Sequence, residues 1–154
     1  MSFAEFLDPN AIVLNLKAKT AEDVIRQLGG HLLSQGAVKD DFVDATLARE
    51  AEMPTGLPLG GSINAAIPHV DIEYVNRSAL ALATLPEPVT FQNMIDPDES
   101  VPVRLVIMLA LSQPKSQIEM LQRVAGILQD TAVVEQLMAA DNSQAVLEIL
   151  DGAA

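Results

Sequence analysis

The chain has 154 residues, enough for one domain that buries about two-thirds of its unfolded surface without disulfides or a metal. Its formal charge of −12, from 21 acidic against 9 basic residues, argues against nucleic-acid binding, because such binding requires Lys and Arg to neutralise phosphates. Cysteine is absent, which excludes disulfides, thiolate metal sites and a cysteine nucleophile.

The sequence shows neither the pattern of a signal peptide nor that of a membrane-spanning helix. The N-terminus lacks the basic segment and long apolar run of a signal peptide. The longest aliphatic run, residues 105–111, is too short to span a bilayer. We therefore expect a cytoplasmic, soluble protein that does not insert into a membrane.

The first third of the chain predicts one strand and two helices. Residues 11–17 are aliphatic and β-branched enough for a short strand. Thr20 begins an amphipathic helix whose apolar residues recur at helical spacing until Gly36. A second helix, capped by one of two aspartates, continues to about Ala51.

The rest of the chain predicts a sheet followed by three helices. A Gly- and Pro-rich loop at residues 54–63 leads to an extended segment and then to Pro68 and His69. Beyond it the predicted segments are a strand at residues 79–85, a short edge strand at 89–91, an acidic turn at 94–100, a central strand at 103–111, and helices at 114–129, 131–139 and 143–150. This order predicts an α/β (α+β) fold in which residues 1–154 form a single domain, with a mixed β-sheet sandwiched between helices.

The chain offers two histidines for catalysis. His31 falls within a predicted helix, and we interpret it as a structural residue at the edge of the packed face. His69 follows the Gly- and Pro-rich loop at a strand end. A metal site built from His69, Asp71 and Glu73 is possible but lacks a second histidine or a cysteine.

Without a metal, an exposed histidine can act as a nucleophile that accepts a phosphoryl group on one ring nitrogen. Such a transfer needs positioning and hydrogen-bond donors for the phosphoryl oxygens. Arg49, the Thr55 hydroxyl, the backbone amides around Gly56 and the Asn64 amide are close to His69 in sequence.

Three spaced motifs carry a family resemblance: Arg49-Glu50, then Pro54-Thr55-Gly56-Leu57, then Ala66-Ile67-Pro68-His69. Together they resemble the enzyme IIA domains of the bacterial phosphoenolpyruvate-dependent sugar phosphotransferase system, of the fructose/mannitol type. The Pro-Thr-Gly loop is most similar to galactitol-specific members. The resemblance implies a mannitol-type fold and a phosphocarrier without cofactor or metal, in which His69 is the phosphoryl acceptor and Arg49 and Thr55 support it.

The resemblance also implies partners. The donor would be HPr, and the acceptor would be a cysteine of a separate IIB protein, which serves a IIC membrane permease. Gln117 occupies the place where mannitol-type members carry a second histidine, so a neutral donor would stand there.

Two alternatives remain open at this point. One is a regulatory protein of the nitrogen-related IIA kind, phosphorylated at the same histidine but acting by binding other proteins. The other is a metal-dependent enzyme using His69 and Asp71. The Pro54-Thr55-Gly56 loop favours the sugar-transport branch, with a galactitol-like sugar as the guess.

Overall fold

The computed structural model describes residues 2–153. In chain order, its elements are β1 (Leu7–Val13), α1 (Ala21–Ser34), α2 (Phe42–Glu52), β2 (Gly56–Leu57), β3 (Ala65–Ala66), β4 (Ala79–Gln92), β5 (Ser100–Ala110), α3 (Pro114–Leu128), α4 (Thr131–Ala139) and α5 (Ser143–Ala153). Short 3-10 helices occupy Phe3–Glu5 and Ile72–Tyr74.

The five strands form one mixed sheet in the order β1-β4-β5-β3-β2. β1 runs parallel to β4 and β3 runs parallel to β5, whereas the β4/β5 and β2/β3 pairs are antiparallel. The middle strand is β5, and its residues 105–110 are all buried. The predicted mixed sheet and its central strand are therefore confirmed.

A helical layer covers each face of the sheet. α1 and α2 pack on one face, and α3, α4 and α5 pack on the other. β4 divides its side chains by size: Ala79, Ala81 and Ala83 face α1, while Leu80 and Leu82 face the three C-terminal helices. Alternation with a period of two marks this segment as a strand despite its alanines. Each fully buried leucine contributes about 1.5–3 kcal/mol.

The helix starts confirm one predicted cap and contradict another: Asp41 directly precedes α2, but its side chain makes no capping hydrogen bond. The Thr20 side chain accepts a hydrogen bond from the Asp23 amide at 3.1 Å and begins α1. The Asp130 carboxylate does the same for α4 by accepting from the amides of Ala132 and Val133. Each cap satisfies amides that have no partner inside the helix.

Two strand predictions are wrong in their limits. β1 covers Leu7–Val13 rather than residues 11–17, because Asn15 takes a left-handed φ of 57° and turns the chain there. Residues 89–91 are the second half of β4 and not a separate edge strand. Pro86 and Pro88 fall in a bulge of the β4/β5 ladder, where they bend the strand instead of ending it.

The predicted loop at residues 54–63 contains a strand. Gly56 in β2 pairs with Ala66 in β3, and the Thr55 carbonyl accepts from the Ile67 amide at 3.2 Å. A Cβ added to Gly56 would lie 2.6 Å from the Gln92 carbonyl oxygen. The absence of a side chain at Gly56 therefore lets this loop approach the end of β4.

We expect Gly56→Ala to destabilise the protein by about 1–3 kcal/mol, because a backbone carbonyl cannot move aside as a flexible side chain would. The free energy of unfolding in urea measures the effect. Gly61→Ala is the matched control from the same loop, since its Cβ would meet Thr131 at an ordinary 3.9 Å. Equal stability of the two variants would contradict the close approach.

Candidate functional site

His69 lies beside the C-terminal part of β5. It follows β3 through Ile67 and Pro68, and its backbone forms a parallel bridge to Leu109. The Leu109 amide donates to the Pro68 carbonyl at 3.0 Å. Because Pro68 fixes its own φ and β5 holds its carbonyl, the backbone that carries His69 has little freedom.

The His69 ring is oriented by its own segment. Its Nδ1 lies 2.9 Å from the carbonyl oxygen of Ile67. A carbonyl can only accept a hydrogen bond, so Nδ1 carries the proton in this contact. In the neutral ring, the lone pair is then on Nε2.

The surroundings of His69 favour that neutral form. Burial lowers the pKa of His69 below its usual 6.5, and the positive charge of Arg49 lowers it further. The Ile67 carbonyl and the negative charge of Asp71 act in the opposite direction without reversing the shift. At neutral pH the imidazole is therefore uncharged and able to act as a nucleophile.

Arg49 projects from the last turn of α2 to the same place. Its Nη1 lies 3.3 Å from Asp71 Oδ1. Its Nε is buried and has no hydrogen-bond partner among the described residues. A buried unsatisfied donor costs about 1–3 kcal/mol, so this N–H is a position where an incoming anion would be stabilised.

Thr55 is tied to α2 through Glu50. The Thr55 amide donates to Glu50 Oε2 at 2.7 Å, and its hydroxyl donates to Oε1 at 2.8 Å. Burial raises the pKa of Glu50, while these two bonds and the charge of Arg49 oppose that rise. The hydroxyl proton of Thr55 therefore points to Glu50 in this state.

The side chains of Gln117 and Asn64 form hydrogen bonds with backbone groups. Gln117, in the first turn of α3, donates from Nε2 to the Val70 carbonyl at 3.1 Å. It thereby fastens α3 to the residue after His69. The Asn64 side chain accepts from the Leu59 amide and donates to the Pro102 carbonyl, so it braces the loop and does not line the cleft.

An open cleft of about 630 Å³ lies at His69. Its lining includes Arg49, Thr55, Ile67 and His69, and α3 contributes Leu121, Gln122 and Ala125. The remaining lining residues are Glu52, Met53, Pro54, Met94 and Pro97. Three predicted site residues, Arg49, Thr55 and His69, are thus brought together in one cleft, while Gln117 is not part of its lining and bonds to the Val70 backbone.

Two residues of the site, Glu50 and Asp71, have no supporting role predicted from the sequence. Glu50 lies in the Arg-Glu motif, but its bond to Thr55 depends on how the loop folds back on α2. Asp71 was considered only as a metal ligand and is paired with Arg49 instead. Within residues 2–153, no group of three or more His, Cys, Asp or Glu side chains could hold a metal ion. The geometry thus gives the metal-enzyme alternative no support.

No helix within the described part of the chain is both long and apolar enough to cross a membrane.

Comparison with known families gives a match over most of the chain. Residues 5–153 match the family described as phosphoenolpyruvate-dependent sugar phosphotransferase system, EIIA 2. The galactitol-specific EIIA component of Escherichia coli K12 is 36% identical over 122 residues, which cover 79% of this chain and 80% of that protein.

Solved structures give the same result. The crystal structure of IIA mannitol from Escherichia coli matches with a TM-score of 0.76 and 31% identity, covering 93% of this chain and 97% of that one. A complex of enzyme IIA and phosphorylated enzyme IIB for mannitol, also from Escherichia coli, matches with a TM-score of 0.77 and 29% identity. That match covers 96% of this chain and 99% of that one.

We expect an NMR titration of the His69 ring to give a midpoint below 6.5, because burial and Arg49 disfavour its protonation. In the unfolded chain His69 titrates near 6.5, so between the two pKa values the unfolded state binds more protons. Stability should therefore fall as the pH drops through this window, and His69→Gln should remove that contribution to the loss. A midpoint at or above 6.5 would contradict the geometry.

Proposed function

Because the chain belongs to the EIIA 2 family of the phosphoenolpyruvate-dependent sugar phosphotransferase system, we propose that it carries a phosphoryl group on His69. The observation that carries the proposal is the presence, in one cleft, of a neutral and oriented imidazole and of a buried guanidinium N–H that has no partner in the described part of the chain. The first supplies the nucleophile and the second supplies a place for negative charge.

In this proposal Nε2 of His69 attacks the phosphorus of a phosphohistidine on the donor. The new N–P bond forms as the donor's N–P bond breaks, and the donor imidazole leaves neutral if its other nitrogen carries a proton. The His69 ring gains positive charge during attack. The Ile67 carbonyl, which accepts from Nδ1, stabilises that charge.

Three other residues support the transfer in different ways. Arg49 receives the phosphoryl oxygens, because its Nε is free to donate. Thr55 fixes the loop through Glu50, and its hydroxyl can reach a phosphoryl oxygen only by turning away from that carboxylate. Gln117 contributes by holding the Val70 backbone in place.

Exposed apolar side chains in and beside the cleft suit protein partners that present an apolar patch. Met53 is 59% exposed and Met94 is 37% exposed, and the neighbouring Ile95 is 89% exposed. The acids Glu52, Asp96 and Asp98 are exposed on the same segments, so a partner with basic residues around an apolar centre would be favoured. We propose HPr as the donor and the cysteine of a separate IIB protein, which serves a IIC permease, as the acceptor.

The galactitol-specific relative makes galactitol, or a similar sugar alcohol, our proposed transport substrate. The sugar itself need not touch this chain, since phosphoryl transfer involves only His69 and its protein partners. No residue of the cleft is therefore assigned to sugar recognition.

Incubation with phosphoenolpyruvate, enzyme I and HPr should add one phosphoryl group to the protein, as read by intact mass spectrometry. His69→Ala should abolish the addition, because the nucleophile is lost. His31→Ala is the matched control and should be labelled fully, since His31 is in α1 and not in the cleft. An unlabelled wild type, or a labelled His69→Ala, would overturn the proposal.

Removal of the Arg49 guanidinium should slow phosphoryl transfer strongly. We expect Arg49→Gln to lower kcat/KM for phosphorylation by about a hundred-fold, the usual effect of losing one donor to developing negative charge. Arg26→Gln serves as the control, because Arg26 pairs with Glu22 and Asp44 on exposed helix surfaces. Equal rates for the two variants would show that Arg49 does not stabilise the phosphoryl group.

A further inference from the structure

Asp71 is a charged neighbour of His69 to which the proposed function gives no role. It lies two residues beyond His69, directly before the 3-10 helix Ile72–Tyr74, yet its side chain does not cap that helix. Its carboxylate is 67% exposed and makes its one side-chain hydrogen bond within residues 2–153 to Arg49. The position of this carboxylate is therefore explained by Arg49 and not by local structure.

The contact between Asp71 and Arg49 is a weak one. A single pair of atoms, Nη1 and Oδ1, is joined at 3.3 Å, whereas strong charge-assisted hydrogen bonds are about 2.7–2.9 Å long. The Nε of the same guanidinium has no hydrogen-bond partner within residues 2–153. Arg49 is thus only partly satisfied by Asp71 and can turn to a second anion without losing a strong bond.

The two charges already act on the His69 ring in opposite directions. Arg49 lowers the pKa of His69 and Asp71 raises it, so both are close enough to influence what the ring binds. A phosphoryl group on Nε2 would bring negative charge to the same place. Arg49 would attract that group, and Asp71 would repel it and compete for the guanidinium.

We propose that Asp71 is a positioning residue that limits how tightly the site holds the phosphoryl group. It occupies Arg49 while His69 is free, and it opposes the negative charge that phosphorylation adds. This inference rests on the proposed function of His69 as phosphoryl carrier. A carrier must release the phosphoryl group that it accepts. A carboxylate at this position destabilises phosphorylated His69 and so favours transfer of the group to the next partner.

The test compares wild type, Asp71→Asn and Glu73→Gln at equilibrium with a fixed ratio of phosphorylated to free HPr. Asp71→Asn keeps the shape of the side chain and removes its charge. We expect it to raise the equilibrium constant for phosphorylation of His69 by about three- to ten-fold at low salt, and by less at high salt. Glu73→Gln removes the same charge from an exposed neighbour that has no ion pair with Arg49 and should leave the constant unchanged.

A second measurement separates electrostatics from folding. In an NMR titration, Asp71→Asn should lower the pKa of His69 and Glu73→Gln should not, because Asp71 acts on the ring and Glu73 does not contribute to its shift. An unchanged or smaller equilibrium constant for Asp71→Asn, or an equal increase for Glu73→Gln, overturns the inference. A wild type that accepts no phosphoryl group overturns the proposed function and this inference with it. If the wild type is phosphorylated but Asp71→Asn has the same equilibrium constant, the inference alone is overturned.

Discussion

The hydrogen bond from His69 Nδ1 to the Ile67 carbonyl is the interaction on which the chemistry of the site depends. It joins residues only two positions apart, so the tautomer is fixed by the local backbone and needs no other side chain. That backbone is in turn fixed by Pro68 and by the bridge from His69 to Leu109. The central strand β5 therefore supports the tautomer of the His69 ring, although none of its side chains lines the cleft.

Electrostatics at the site differ from those of the protein as a whole. The chain carries a formal charge of −12, which would repel a phosphoryl group at long range. At physiological salt, however, exposed charges are largely screened beyond about 8 Å. Arg49 lies within the cleft, partly buried and incompletely paired, so its charge outweighs the distant acids. Burial is the main cause of the lowered pKa of His69, and the charge of Arg49 adds to it, so in the proposed transfer Arg49 would act both before and after the phosphoryl group arrives.

The parts of the fold that the sequence predicts are those decided by nearby residues. The Thr20 cap, the helical spacing of α1 and the buried run of β5 are local signals, and the structure confirms them. The course of β4 through Pro86 and Pro88 could not be predicted, because the prolines are tolerated only where the ladder to β5 bulges. There the Arg104 side chain donates to the Leu85 carbonyl at 3.0 Å, a contact between strands.

The same distinction applies to the site. Proximity of Arg49, Thr55 and His69 could be anticipated from their motifs, but their partners depend on tertiary contacts. The bonds from Thr55 to Glu50 exist because β2 pairs with β3 and brings the loop back over α2. The Asp71 contact to Arg49 likewise joins a helix end to a segment 22 residues away. No periodicity or spacing in the sequence encodes either one.

Gln117 shows how position and role can differ. Its amide donates to the Val70 carbonyl, a neutral contact that holds α3 to the segment that carries His69 whatever the pH. The chain's other histidine, His31, is in α1 and does not line the cleft. His69 is thus the single imidazole in the cleft, so only its own protonation can add an imidazolium charge there. Ile67 sets the tautomer of the ring and β5 sets its position, while its neutral state comes first from burial and then from Arg49, without help from a second titrating ring.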